Sequence, residues 1–472
     1  MDQHTALFEH ILSTHRYVER WSTKLLCLDY SSESPRKLIK MIKAVSGGLL
    51  ENAEYISANY NEADVAATRL LKGTFDVQNF IASSMKYVQS SDVEQVPWSF
   101  IEPLKNTIKK LLGDDVDVLL TPQWEYNYSV YIQDIEKWFK RYVEDVMMIP
   151  KYRGNVDDLF VDLDKKFIMI SFPSSQRLNP MQLACLSHEV AHLVVDKLYF
   201  DKNDTSFEDN YVSQIKSKLD PVYHSVAAKV WKRAVEELMS DYIGVKMWGP
   251  ASALAMSSMA LQYGYNTPKN RKDHGYPPWI YRIGIIKVAM GQVDDIKREI
   301  MESKTILNGA KMNKSIDSFI ENYSIDIDET AFMEVVHDIF KGYDIEIIKD
   351  DSYLENDLSV KTAYSVMYDC LLEAISIFDK YISSNVWNIA DVRNNLRYII
   401  LSLLNGVPPS SEELKRTSEC SAVDLGMLLL SLWIVKITVT SPNVSKQVDN
   451  WNRLILWAMD AENIANRYFD TV

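Results

Sequence analysis

Residues 188–192 read His-Glu-Val-Ala-His, and the chain's capacity for chemistry is concentrated in that spacing. On a helix, positions four apart project from one face, one turn above the other. Two neutral imidazoles placed in that way, His188 and His192, can both reach one zinc ion at about 2.0–2.1 Å. Glu189 lies one residue on, roughly 100° around the helix, where it addresses the ion's water rather than the ion. That division of labour suits hydrolysis. The ion acidifies a water molecule, and the carboxylate takes its proton as a carbonyl carbon is attacked.

A second segment, residues 233–244, reads Arg-Ala-Val-Glu-Glu-Leu-Met-Ser-Asp-Tyr-Ile-Gly. Glu237 and Asp241 are four apart and share a face. Glu237 can complete the coordination of one ion and leave a fourth position for water. Asp241 can accept the ring N–H of a ligand histidine, which fixes its tautomer and raises its basicity. Glu236 is the competing ligand. The residue four positions beyond it is Ser240, which offers no carboxylate, so Glu237 is preferred.

The pair of motifs, His-Glu-x-x-His followed by Glu-x-x-x-Asp, resembles that of the gluzincin zinc peptidases. That group includes the thermolysin-like enzymes and the CAAX-prenyl-protease/HtpX type. A metzincin would carry Gly and a third His where this chain has Val195 and Leu198. Residues Pro277-Pro278-Trp279-Ile280-Tyr281-Arg282-Ile283 are similar to the His-Pro-Pro-x-x-x-Arg-Ile/Leu segment of the HtpX type. Here Tyr276 precedes the prolines and His274 lies two residues earlier. The resemblance covers residues 160–285. It implies a zincin-like catalytic core that hydrolyses peptide bonds with one zinc ion held by His188, His192 and Glu237. It further implies that His274 or Tyr276 stabilises the oxyanion. The strand nearest the metal helix, for which Phe167, Ile168, Met169, Ile170, Ser171 and Phe172 are the candidates, would pair with substrate backbone by β-augmentation. The HtpX type is membrane-embedded; this chain reads as at most a soluble cousin.

These groups need helices to hold them. Asn179, Pro180 and Gln182 read as N-cap, first helical residue and capping-box partner of a helix of about four turns that carries the histidines. The Glu237 helix can start at Asp220-Pro221 and stop at Gly249-Pro250. Upstream, from about residue 5 to 148, apolar residues such as Leu7, Ile11, Val18 and Trp21 recur at helical spacing and predict a bundle. Asp157 to Ser174, two apolar runs split by Asp-Lys-Lys, predicts a β-hairpin. Helical pattern returns beyond 290, most clearly at Ala363–Ile382 and Trp451–Arg467, with a short strand at Ile437–Thr440. The expected fold is therefore mainly α (α+β). Its parts are a helical region 1–148, a metallopeptidase core 149–290 and a helical region 291–472.

Composition narrows the partners. The 472 residues carry 51 Lys and Arg against 65 Asp and Glu, a balance unlike the basic stripe of a nucleic-acid binder. Met1-Asp2-Gln3-His4 shows no basic n-region, and Leu425–Val435, a strongly apolar stretch of 11 residues, is shorter than the roughly 20 of a bilayer span. The four cysteines lie far apart, which fits a reducing, cytoplasmic setting without disulfides. His10 and His15 read as ordinary surface residues, His224 as a poor ligand candidate and His337 as structural, and Lys314-Ser315 lacks the glycines of a phosphate loop. The expected partner is a protein or peptide substrate, with no nucleic acid and no membrane, and with further contacts through the helical flanks. A binding or scaffold protein that keeps the helices around a structural zinc is the alternative. Hydrolysis of a non-peptide amide would use the same residues.

Overall fold

A computed structural model describes residues 3–199, 213–263 and 279–290 with short breaks. Beyond 290 it describes mainly 366–372, 398–410 and 425–470. The architecture is mainly helical with a small three-stranded sheet. By contacts the chain divides into two compact units. The first comprises residues 1–109 with 113–177, the second 110–112 with 178–472. The division thus falls at Arg177/Leu178, where sequence pattern had drawn boundaries near 148 and 290.

In the first unit, α1 (Gln3–Leu25), α2 (Ser34–Asn59) and α3 (Val65–Gln89) form a helical group, as the 3.6-residue periodicity demands. Asp64 caps α3 by accepting a hydrogen bond from the Ala66 N–H at 2.8 Å. Helix α4 (Ile101–Leu112) ends at Gly113, whose φ of +69° suits glycine. The chain then enters β1 (Val116–Gln123) and β2 (Ser129–Tyr131) before α5 (Ile135–Val146) and β3 (Lys166–Pro173). The sheet order is β1-β3-β2, with β1 parallel to β3 and β2 antiparallel to it. Val18, Ile42, Val45, Ile81, Phe139, Phe167 and Met169 share one buried cluster beneath this sheet.

Two expectations fail in this unit. The hairpin over 157–174 is not seen among the described residues, which leave out 161–165: Asp157–Leu159 is a single 3₁₀ turn, and β3 pairs with β1, 50 residues upstream. Leu159 and Phe160 are buried in the helical cluster rather than in a ladder. The second failure is the substrate strand. Met169, Ile170 and Ser171 are bonded on one side to β1 and on the other to β2. Phe167, Ile168 and Phe172 are core residues, at most 5% exposed. Met169, Ile170 and Ser171, paired on both sides, have no free backbone to offer a peptide.

The second unit holds α6 (Pro180–Leu183), α7 (Leu186–Tyr199), α8 (His224–Trp248), α9 (Pro250–Tyr263) and α10 (Trp279–Met290). It also holds α11 (Leu425–Thr438) and α12 (Val444–Asp470). Leu425–Val435 is therefore a buried helix, and only Val439–Thr440 of the expected short strand is extended, pairing with Asp326–Ile327. Residues 366–372 and Trp451–Arg467 are helical as expected, while 376–382 lie outside the described residues. Among the described residues, no helix is long and apolar enough to cross a membrane.

Asn52, fully buried in α2, ties the first unit together. Its amide donates to Thr74 Oγ1 at 3.0 Å and to the Val146 carbonyl at 2.9 Å. Its carbonyl accepts from the N–H groups of Met148 at 2.7 Å and Ile149 at 3.3 Å. The last carbonyl of α5 would otherwise lack an intrahelical partner. Replacing Asn52 by Ala strands several buried groups at once, so N52A is expected to destabilise the chain by about 2–4 kcal/mol. A lowered urea midpoint in tryptophan fluorescence would register this loss; an unchanged midpoint would contradict it.

Candidate metal centre

The histidine helix does not begin at Asn179. Residues 180–183 form one short turn, and the i→i+3 bonds Cys185 N–H to Gln182 O (3.0 Å) and His188 N–H to Cys185 O (3.0 Å) tighten the chain before α7 starts. The Asn179 side chain makes no cap bond; its carbonyl accepts from Gln182 and Leu183. Gln182 turns to Ser258 at 2.8 Å instead of closing a capping box. The Glu237 helix, by contrast, has the expected ends. Asp220 accepts from the Val222 N–H at 3.0 Å, and Gly249, at φ +63°, passes the chain to Pro250.

Helices α7 and α8 cross at very close range. A Cβ built on Gly244 would lie 3.0 Å from His188 N and 3.1 Å from its Cα. Glu237, Asp241 and Gly244 sit at i, i+4 and i+7, one face of α8, so the residue of closest approach is aligned with both carboxylates. Ser187, hydrogen-bonded to Ser252 of α9 and to the Ala184 carbonyl, pins the start of α7.

That crossing brings His188, His192 and Glu237 together, 5%, 8% and 3% exposed, as a group able to hold a metal ion. The two imidazole Nε2 atoms are 3.1 Å apart, and His188 Nε2 lies 3.4 Å from Glu237 Oε2. Donors about 2.05 Å from one tetrahedral ion stand roughly 3.3–3.4 Å from each other. The observed spacings fit. Glu237 Oε2 is buried without a hydrogen-bond donor, its nearest guanidinium nitrogen being that of Arg282 at 3.9 Å. A carboxylate oxygen left so is costly unless a cation meets it.

The outer nitrogens are also held. His188 Nδ1 is 2.8 Å from Asp241 Oδ1, at hydrogen-bond distance though outside hydrogen-bond alignment. Arg282 of α10, 1% exposed and stacked over Trp279, donates through Nε and a terminal nitrogen to both oxygens of Asp241, each at 2.7 Å. His192 Nδ1 has Ser240 Oγ at 3.0 Å. Glu236, the alternative ligand, stands 3.5 Å from that same outer nitrogen, on the side of the ring away from His188's Nε2 contact. Asp241 and Ser240 thus stand beside the two Nδ1 atoms, where each can accept a ring N–H when Nε2 meets an ion.

Burial opposes charge on every one of these groups, and their partners decide the outcome. Burial pulls the His188 pKa down, but Asp241 and then Glu237 outweigh it and raise it above the usual range. Burial pushes Glu237 up, yet His188, His192 and Arg282 hold it below the ordinary carboxylate value. Asp241 is lowered against its burial chiefly by Arg282. Glu189, 7% exposed, goes the other way: burial raises it, and the two histidines only partly offset that. Burial and the Glu189 charge keep the Cys185 thiol protonated, which leaves no role for it as a nucleophile.

Among the remaining candidates, His224 contacts the Lys216 and Leu219 carbonyls at the foot of α8, and His15 contacts Ser46. Both are structural. His274, Tyr276, His337 and Lys314-Ser315 lie outside the described residues. Sequence pattern picked out the three residues that the structure brings together but not the Ser240 contact, and it assigned Arg282 no partner. The i+3 offset between Glu237 and Ser240, and the buried arginine one turn into α10, carried that information only once the helices were crossed. Comparison with protein-family models, curated proteins and solved structures found no match.

Two outcomes follow from this geometry. Alanine normally improves a helix interior over glycine by about 0.5–1 kcal/mol, but at Gly244 the added methyl meets backbone of α7. G244A should therefore part the ligands and weaken zinc binding by about tenfold, read by competition with a chromogenic chelator; unaltered affinity would contradict the close-crossing argument. Because the raised pKa of His188 keeps a proton on the metal-free ring, an entering ion must displace it. Zinc affinity is then expected to rise about tenfold per pH unit near neutrality, measured by calorimetry in buffers of different ionisation enthalpy.

Proposed function

We propose that this chain is a zinc-dependent peptidase of gluzincin type, with a zincin-like core built on α7 and α8. The observation that carries the reading is the buried Glu237 Oε2 without a donor, 3.4 Å from His188 Nε2, which itself lies 3.1 Å from His192 Nε2. Neutral histidine and a carboxylate suit zinc among the divalent ions, and three protein ligands leave a position for chemistry. When bound there, zinc supplies a Lewis acid that brings water near to ionisation at neutral pH.

The side chains then divide the remaining work. Glu189 is buried beside the ligand set, and its charge couples to His188, His192 and Glu237. Its raised pKa is the tuning a general base needs to accept a proton from water and later deliver it to the leaving amine. Asp241 and Arg282 hold His188 in register, and Ser240 does so for His192. Asp241 and Arg282 neutralise one another, so His188 gains an acceptor without adding net charge to the pocket.

Changing Glu189 to Gln keeps the size of the side chain and removes its basicity. The variant should retain one zinc per chain while cleavage of a peptide library falls by about 10²–10⁴. Zinc retained, with cleavage absent in the wild type as well, would favour the structural-zinc scaffold. An E189Q variant that cleaves normally would remove Glu189 from its role.

A further inference from the structure

The first unit carries an open groove of about 430 Å³ between α1 and α3, and a mismatch of side-chain size creates it. Tyr17 and Trp21, four residues apart on one face of α1, stack with ring centroids 6.0 Å apart and planes at 14°. Across from them α3 presents Ala82 and Ser83, which are too small to fill the space between the helices. Trp21 packs against the core, whereas Tyr17 stays 52% exposed, so much of its ring faces solvent. The volume falls within the roughly 300–1,000 Å³ usual for ligand sites.

The chemistry of the walls selects the ligand. Among the described residues that line the groove none is acidic, and Lys86 is the charged one. Lys24 adds a second ammonium, 5.3 Å from the centroid of a Trp21 ring. Thr14 Oγ1 donates to Asn79 Oδ1 at 3.2 Å, so Asn79 has its N–H groups to offer a ligand. The groove thus reverses the balance of a chain with 51 basic and 65 acidic residues, and it suits an anion that also stacks. The acidic total disfavours a polyanion such as nucleic acid. From Thr14 to Trp21 a helix rises about 10 Å, the length of about three residues of extended chain. We propose that this groove binds a short extended peptide segment that pairs an acidic residue with an aromatic one. Lys86 and Asn79 receive the carboxylate, and the aromatic ring lies against Tyr17. The groove belongs to the first unit and His188, His192 and Glu237 to the second, so the proposal does not rest on the zinc-peptidase reading.

Fluorescence anisotropy on the full chain tests this with a labelled pentapeptide, Gly-Glu-Tyr-Glu-Gly. Two control peptides replace both glutamates by glutamine, or the tyrosine by alanine. Wild type should bind the first peptide about tenfold more tightly than either control. K86Q should lose most of the preference for glutamate over glutamine. S83W, which fills the groove from an exposed position, should abolish binding while the far-UV circular dichroism stays unchanged. Absence of binding in the wild type, equal affinity for all three peptides, a glutamate preference undiminished in K86Q, or binding that survives in S83W would each overturn the proposal.

Discussion

One carboxylate oxygen, Glu237 Oε2, faces the interior with no hydrogen-bond donor, and its neighbours form a pocket short of positive charge. Glu189, Glu237 and Asp241 are each buried, and Arg282 is the one buried cation in contact with them. With neutral histidines, the buried carboxylates outnumber the buried guanidinium, an excess of negative charge that a divalent ion would relieve. A metal-free pocket answers the same imbalance by holding a proton on His188. The close α7–α8 crossing at Gly244, the serines pinning α7 and the arginine behind Asp241 all serve to keep these charges where an ion can balance them.

The cluster of His188, His192 and Glu237 was legible in the sequence because each half of it is local. His188 and His192, and Glu237 and Asp241, are paired by helical periodicity alone, and the Pro and Gly signals at 220–221 and 249–250 set the length of α8. Gly244 was legible as a residue but not as a spacer, since only the crossing reveals what a side chain there would meet. Arg282 and Ser240 were hidden for the same reason. Their partners come from another helix, and nothing in their own surroundings distinguishes a buried arginine from a solvated one.

The sheet was the poorest part of the sequence reading, and the cause is sequence distance. Strand β1 follows Gly113 with a short buried run, Val116 to Leu120, interrupted by Asp117, that short-range periodicity does not separate from helix. Its partner β3 lies 50 residues on, so the pairing left no hairpin signature, and β3 was assigned to a neighbour that turned out to be a 3₁₀ turn. Once β3 is the middle strand, its hydrophobicity on both faces follows, and so does the lack of a free edge at Met169–Ser171.

X-ray absorption at the zinc edge on the purified chain interrogates the pocket most directly. Two imidazole nitrogens and carboxylate oxygen at about 2.0–2.2 Å, with one ion per chain and loss of the carboxylate shell in E237A, is the expected result. A sulfur shell near 2.3 Å, or an unchanged spectrum in E237A, would show that any bound ion sits elsewhere and that His188, His192 and Glu237 do not meet at a metal.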